Sequence, residues 1–138
     1  MKVTIDHVGI AVGSLSDSVA FFRDALGLEL DHPEEVESQR VRAHFVFTDD
    51  GRDGAKLELL EPTADDSPIA KYVARRGPGM HHVALRVEDI RAALAELKAR
   101  GVRLIDEAPR PGAHGSSVAF IHPSSTHGVL VELVERAK

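Results

Sequence analysis

Two histidines and two glutamates recur at nearly the same interval along the chain. The interval from His7 to His82 exceeds the interval from Glu58 to Glu132 by a single position. Imidazole nitrogens and carboxylate oxygens together suit a divalent first-row ion such as Co, Mn, Ni, Fe or Zn, whereas Mg²⁺ rarely takes imidazole. The spacing therefore predicts a duplicated module, in which each half supplies one His and one Glu to a single metal site.

The shared interval carries this interpretation, because a lone His or Glu on a strand is ordinarily a satisfied polar residue without a ligand role. A second match supports the duplication: Ala25-x-Gly27-Leu28-x-Leu30 returns, at the interval that separates the two glutamates, as Ala99-x-Gly101-Val102-x-Leu104. His81 is the nearest rival of His82, but it shares the parity of the apolar face, which predicts a supporting role. Turn or surface positions are predicted for the other histidines, which are His32, His44, His114, His122 and His127. Of these, a functional role is left open for His44 and His114.

Strand alternation separates the four candidate ligands from the predicted core. On each strand that carries one of them, apolar side chains occupy the alternate positions and would face a covering helix: Val8, Ile10 and Val12; Leu57 and Leu59; Val83, Leu85 and Val87; Val131 and Leu133. The small residues Gly9, Ala11 and Ala84 share the faces of the histidines. If the strands curve into a cleft, the four polar side chains line it and leave room for a ligand.

The elements that position these residues have the order β-α-β-β-β in each half. The first module covers about residues 3–62, with strands predicted at 3–12, 28–31, 41–48 and 56–61 and a helix from Ser14 or Ser16 to about Leu26. A short helix from Ser67-Pro68 to Arg76 joins it to the second module, residues 79–136. There, strands are predicted at 80–88, 102–106, 116–122 and 127–135, with a helix from 87–89 to Arg100. The fold class is α+β: two tandem βαβββ modules forming a curved-sheet cleft around one metal.

Composition bounds the remaining function classes. The chain has 138 residues, of which 43% are hydrophobic, enough for one domain with a buried core. It has no apolar run of membrane-spanning length, and no secretory leader is expected. A net charge of −5 argues against a general nucleic-acid binder. The absence of cysteine excludes disulfides, thiolate sites and a thiol nucleophile, and a cytoplasmic location is expected.

With these residues in view, the chain resembles the vicinal oxygen chelate superfamily over essentially its whole length. Within that superfamily the closest resemblance is to the methylmalonyl-CoA epimerases. The resemblance is carried by Ile5-Asp6-His7-Val8, by Gly79 to Ile90 with its His-His-Val sequence, by Gly115 to Pro123, and by the ending Ser125-Thr126-His127-Gly128-Val129-Leu130-Val131-Glu132-Leu133.

The resemblance implies that His7, Glu58, His82 and Glu132 bind one divalent ion, with Co²⁺ the first choice. It implies epimerisation of (2R)- and (2S)-methylmalonyl-CoA through a metal-stabilised enolate, with Glu132 and Glu58 as the candidate acid/base groups. A carboxylate proposed as a base in one epimerase aligns near Ala43, which leaves His44 and Glu37 as further candidates. Arginines are expected near the CoA phosphates; the substrate-binding candidates are Arg40, Arg110, His114 and Ser116, with Arg42 and Arg100 also considered. A homodimer is expected.

Other activities of the same fold are the alternatives. One is a glyoxalase I-type lactoylglutathione lyase, which uses the same ligand set. A second is an iron dioxygenase. Dioxygenases typically use a 2-His-1-carboxylate triad, so a set of four symmetric ligands argues against this activity. A third is a metal-free drug-sequestering protein, and the intact ligand pattern in both halves counts against it.

Overall fold

A computed structural model describes all 138 residues. The chain divides into two compact units. One comprises residues 7–81, and the other combines residues 1–6 with residues 82–138. None of the helices is both long and apolar enough to span a bilayer.

The unit of residues 7–81 contains a mixed sheet with a helix after its first strand. Its strands are β1 (Thr4–Ala11, of which His7 onward lies in this unit), β2 (Glu29–Leu30), β3 (Glu34–Val36), β4 (Val41–Phe47) and β5 (Lys56–Pro62). The order is β2-β4-β5-β1, with β3 also paired to β4. β1 runs parallel to β5, and the other pairs are antiparallel.

Two serines start the helices of this unit, as predicted. Ser14 Oγ accepts the Asp17 amide at 3.2 Å and begins α1 (Leu15–Val19), which continues as a π-helical segment, Ala20–Ala25. Ser67 is fully buried, and its Oγ accepts the Ile69 amide at 3.1 Å to begin α2 (Pro68–Arg76). The helix after β1 packs on a cluster that confirms the predicted apolar parity and includes Ile10, Val12, Leu57 and Leu59.

The other unit repeats this plan. Its elements are β6 (Gly79–Arg86, of which His82 onward lies in this unit), α3 (Ile90–Ala99), β7 (Arg110–Pro111), β8 (Ser117–Ile121) and β9 (Val131–Glu135). The strand order is β6-β9-β8-β7, with β6 parallel to β9. Asp89 caps α3 by accepting the Ala92 amide at 3.0 Å. The helix covers the predicted apolar face, where Val87, Ile90, Ala93, Leu94, Leu133 and their neighbours are buried together.

The predicted strand at 102–106 is wrong as a continuous strand. Only one isolated bridge forms, between Leu104 and Ile121. Ser125 Oγ accepts the Arg103 amide at 2.8 Å, and the Asp106 carboxylate accepts the Phe120 amide at 2.9 Å. Because side chains take these amides, a regular backbone ladder cannot extend along the segment.

The last predicted strand begins later than expected, at Val131 rather than at 127. Residues before it form a 3-10 turn, Pro123–Ser125, followed by left-handed backbone at His127 and Gly128, with φ of 58° and 96°. These conformations do not fit a strand. Two further 3-10 turns, Glu37–Gln39 and Ala113–Gly115, and the short strands β3 and β7 lie in segments predicted to be loops.

Candidate metal centre

In the unit of residues 7–81, a buried imidazole faces a buried carboxylate. His7 is on β1 and Glu58 is on the adjacent parallel strand β5, where Gly9 is the register partner of Glu58. His7 Nε2 and Glu58 Oε1 are 3.3 Å apart, and their side chains are 5% and 9% exposed.

The other unit contains the same pair with the same register. His82 is on β6 and Glu132 is on the parallel strand β9, opposite Ala84. His82 Nε2 and Glu132 Oε1 are 3.6 Å apart, and their side chains are 2% and 4% exposed. In both units the glutamate therefore pairs with the small residue two positions after the histidine.

These pairs have the chemistry and spacing of metal ligands. Metal–nitrogen and metal–oxygen bonds of about 2.1 Å at a right angle place neighbouring donor atoms about 3 Å apart. Burying a carboxylate without compensation is unfavourable, and a cation would offset that cost. Each unit thus holds one buried imidazole–carboxylate pair whose donor atoms are spaced as neighbouring metal ligands are.

Two phenylalanines lie edge-on against the histidines, and the sequence interpretation missed both. Phe45 and His7 have ring centroids 5.6 Å apart at an interplanar angle of 81°. For Phe120 and His82 the values are 5.8 Å and 83°. The available signal was the spacing, because Phe120 follows Phe45 at the same interval at which His82 follows His7.

His81 contacts an aromatic ring of its own. Its ring centroid is 4.9 Å from that of Tyr72 in α2, and the Tyr72 hydroxyl donates to the Met80 carbonyl at 2.6 Å. Burial lowers the pKa of His81 below its ordinary value, while the negative charge of Glu58 acts in the opposite direction.

A charged cluster surrounds Asp6, the residue before His7. Its carboxylate is buried and accepts Arg136 Nε at 2.9 Å, with Arg86 Nε at 3.7 Å. Asp6 precedes His7 as His81 precedes His82, so the two copies place different chemistry next to equivalent histidines.

His44 and Glu37 are the other acid/base candidates. His44 is buried, and its Nε2 is 3.0 Å from Glu61 Oε1. It is adjacent to Phe45 on β4, so strand alternation directs it to the face of the apolar cluster. Glu37 is the exposed first residue of a 3-10 turn.

The arginine candidates for substrate binding are engaged with acidic side chains. Arg40 has left-handed backbone, with φ of 51°, and pairs with Asp66. Arg42 pairs with Glu35 at 3.0 Å, which raises its pKa, and Arg100 pairs with Glu96 at 3.2 Å. Arg110 lies 3.5 Å from an Asp106 oxygen, with its guanidinium carbon 5.5 Å from the Phe120 ring centroid. Arg110 thus contacts Phe120, which in turn contacts the candidate ligand His82.

His114 and Ser116 occupy one turn before β8. His114 has a left-handed conformation, with φ of 55°, and Ser116 donates its amide to the Ala113 carbonyl at 3.1 Å. Both side chains lie in the unit that contains His82 and Glu132.

The family comparison matches most of the chain. The profile of the Glyoxalase/Bleomycin resistance protein/Dioxygenase superfamily matches residues 6–120. This match confirms the α+β fold class predicted from the repeat.

Two relatives and one solved structure extend the comparison to nearly the whole length. The mitochondrial methylmalonyl-CoA epimerase of Dictyostelium discoideum is 39% identical over 133 residues, covering 96% of this chain and 78% of that protein. The ethylmalonyl-CoA/methylmalonyl-CoA epimerase of Cereibacter sphaeroides is 38% identical, covering 94% and 95%. A structure of methylmalonyl-CoA epimerase in complex with methylmalonyl-CoA and NH4+ has a TM-score of 0.90 and 41% identity, covering 99% of this chain and 96% of that one.

Proposed function

The chain belongs to the Glyoxalase/Bleomycin resistance protein/Dioxygenase superfamily, and we propose that it is a metal-dependent methylmalonyl-CoA epimerase. The observation that carries this proposal is the buried imidazole–carboxylate pair found in each unit, at 3.3 Å and 3.6 Å. The relatives reported above are epimerases and align over nearly the full chain. The enzyme is accordingly an isomerase of the racemase/epimerase class.

The proposed ligands are His7, Glu58, His82 and Glu132. Their burial, their donor types and the repeated register fit a divalent ion, with Co²⁺ the first choice and Mn²⁺, Ni²⁺, Zn²⁺ and Fe²⁺ the alternatives. When bound, such an ion acts as a Lewis acid toward substrate oxygens and stabilises developing negative charge.

The protein's own side chains move the proton at the α-carbon. That carbon lies between a thioester and a carboxylate, so its proton is weakly acidic, and its removal gives the enolate of the thioester. Inversion requires an acceptor on one side of the carbon and a donor on the other. Glu132 and Glu58 are the proposed pair, because both are buried carboxylates beside the proposed binding position. His44 is the weaker candidate, since Glu61 already occupies its Nε2.

The CoA portion of the substrate carries phosphates and needs cationic or hydrogen-bonding partners. Arg110, His114 and Ser116 are proposed for this role in the unit of His82, and Arg40 in the other. Arg110 is the best supported, because its guanidinium lies over the Phe120 ring that contacts His82. An Arg110→Ala variant should raise the KM for the acyl-CoA and leave its kcat within a few-fold.

Deuterium exchange tests the reaction directly. Methylmalonyl-CoA is incubated in D₂O with metal-loaded protein and with chelator-treated protein. The proposal predicts metal-dependent exchange at the α-carbon with loss of chirality. Absence of exchange with fully metal-loaded protein would refute the epimerase assignment.

Other substrates and a binding measurement separate the alternatives. Ethylmalonyl-CoA, compared at equal concentration, measures the breadth of acyl-CoA use. Turnover of a glutathione hemithioacetal in place of acyl-CoA exchange would favour the lactoylglutathione lyase. Tight ligand binding without metal or turnover would favour the drug-sequestering protein.

A homodimer and a cytoplasmic location remain predictions of the proposal. Light scattering of the purified protein measures the first. Fractionation of the native cells measures the second.

A further inference from the structure

We propose that Phe45 and Phe120 are positioning residues that hold the imidazoles of His7 and His82 in the orientation required for metal binding. This inference rests on the metal site proposed above. It adds two residues that are not ligands themselves and act through the ligands.

In the unit of residues 7–81, Phe45 connects the imidazole and the carboxylate of the pair. It lies on β4 as the register partner of Glu58, and it contacts His7 edge-on at 5.6 Å. Phe45 is only 4% exposed. The neighbours of Phe45 on the strand, His44 and Val46, alternate to the other face, and Val46 belongs to the apolar cluster under the helix. Phe45 therefore lies on the ligand face of the sheet.

The other unit repeats each part of this arrangement. Phe120 lies on β8 as the register partner of Glu132, and it contacts His82 edge-on at 5.8 Å. Phe120 is 7% exposed, and its strand neighbours Ala119 and Ile121 belong to the core covered by α3. Packing alone would explain a buried Phe at either place. In both copies, however, the buried Phe has the same ring partner, the same register and nearly the same interplanar angle, so the contact accompanies each imidazole–carboxylate pair.

Edge-on contact supplies the physical mechanism. An aromatic ring has a negative face and a positive edge, so perpendicular rings attract each other and favour one mutual tilt. The terminal torsion of a histidine is otherwise broad, which lets the imidazole nitrogen swing away from a ligand position. Neighbours that restrict ligand orientation increase metal affinity, because less freedom is lost on binding. A leucine of similar hydrophobicity would fill much of the space without this directional contact.

The test compares three single Phe→Leu variants. Phe45→Leu and Phe120→Leu remove the rings in question. Phe47→Leu is the matched control, because Phe47 lies on β4 with Phe45, is 6% exposed, and packs under the Arg52 guanidinium at 4.4 Å. Co²⁺ affinity is measured by chelator competition, and ligand geometry by the visible absorption spectrum of the Co²⁺ protein. Histidine ring signals are recorded by NMR in metal-free protein, together with its thermal stability.

We expect Phe45→Leu and Phe120→Leu each to weaken Co²⁺ binding about threefold to tenfold, the range for loss of one aromatic pair. They should also change the Co²⁺ spectrum and shift the ring signals of the facing histidine. Phe47→Leu should lose comparable thermal stability and retain wild-type affinity and spectrum. The inference is overturned if all three variants behave alike, or if Phe45→Leu and Phe120→Leu keep the wild-type affinity and spectrum.

The outcome is separable from that of the proposed function. Co²⁺ affinity is measured without substrate, so wild-type metal binding with no Phe effect overturns the positioning role alone. If the Phe→Leu substitutions weaken Co²⁺ binding but the wild-type protein does not exchange the α-proton, the positioning role is supported and only the epimerase reaction is refuted. Failure of wild-type protein to bind Co²⁺ overturns both.

Discussion

Replacing His82 with alanine removes one imidazole from the more deeply buried of the two pairs. The His82 side chain is 2% exposed, its Nε2 is 3.6 Å from Glu132 Oε1, and its ring meets Phe120. Glu132 would remain buried beside the vacated position. We therefore expect two separate effects, a loss of metal-induced stabilisation and a loss of metal-free stability.

The magnitude of the first effect follows from binding linkage. At free metal of about 100 times Kd, wild-type protein gains about 2.7 kcal/mol. Removing a residue that only hydrogen-bonds to a metal ligand lowers metal affinity about 10–100-fold. Removing a ligand itself should therefore lower the affinity at least 100-fold. The gain then falls to about 0.4 kcal/mol or less at the same metal concentration. At roughly 3–5 °C per kcal/mol for a domain of this size, the metal-induced rise in Tm falls from roughly 8–13 °C to about 2 °C or less.

Thermal unfolding with and without metal measures both effects, and His44→Gln is the matched control. His44 is also a buried histidine beside a carboxylate, 3.0 Å from Glu61 Oε1, but it lies on the opposite face of its strand from Phe45. The control should lose about 1–3 kcal/mol of metal-free stability and keep the full metal-induced rise. A His82→Ala protein with an undiminished metal-induced rise in Tm would refute the ligand assignment.

Three further substitutions test separate parts of the structure. Glu58→Gln, assayed at saturating metal, should lower α-proton exchange about 10²-fold or more because the amide cannot accept the proton, and an unchanged exchange rate would remove Glu58 from the acid/base pair. Ser67→Ala should lower the free energy of unfolding by about 1–2 kcal/mol in urea titrations, and more than Ser14→Ala, because the Ser67 cap is fully buried; equal losses would contradict this reasoning. Gly112→Ala should cost about 1–3 kcal/mol in the same assay, since its Cβ would lie 2.6 Å from Val118 Cγ1, and a neutral effect would show that the turn relaxes freely.

The duplicated plan could be predicted because strand alternation and N-cap chemistry are local properties. The apolar faces of β1 and β5 pack as predicted, and Ser14 and Ser67 cap helices at the expected positions. The pairing of each glutamate with a small residue on the histidine strand depends on register between distant strands. Parity alone gives the face of a side chain, and only the pairing gives the distance to its partner.

The missed features depend on partners far away in sequence. The segment 102–106 has strand-like composition, but Ser125 and Asp106 take amides that a ladder would need. The aromatic contacts escaped notice because a Phe within an apolar strand ordinarily predicts core packing. Its repetition at the histidine interval was nevertheless present, and it would have singled out Phe45 and Phe120 as companions of the ligands.

The two halves differ at the residue that precedes each proposed histidine ligand, which is Asp6 before His7 and His81 before His82. Asp6 pairs with two arginines, whereas His81 lies edge-on against a tyrosine ring. A metal ion can use the same donor pair from each half, but an acyl-CoA has chemically different ends and cannot be held by identical groups. We therefore expect Asp6→Asn and His81→Gln to change the KM for acyl-CoA while leaving Co²⁺ affinity within a few-fold. Loss of metal from either variant, with KM unchanged in the remaining loaded enzyme, would instead show that these residues support the ligands.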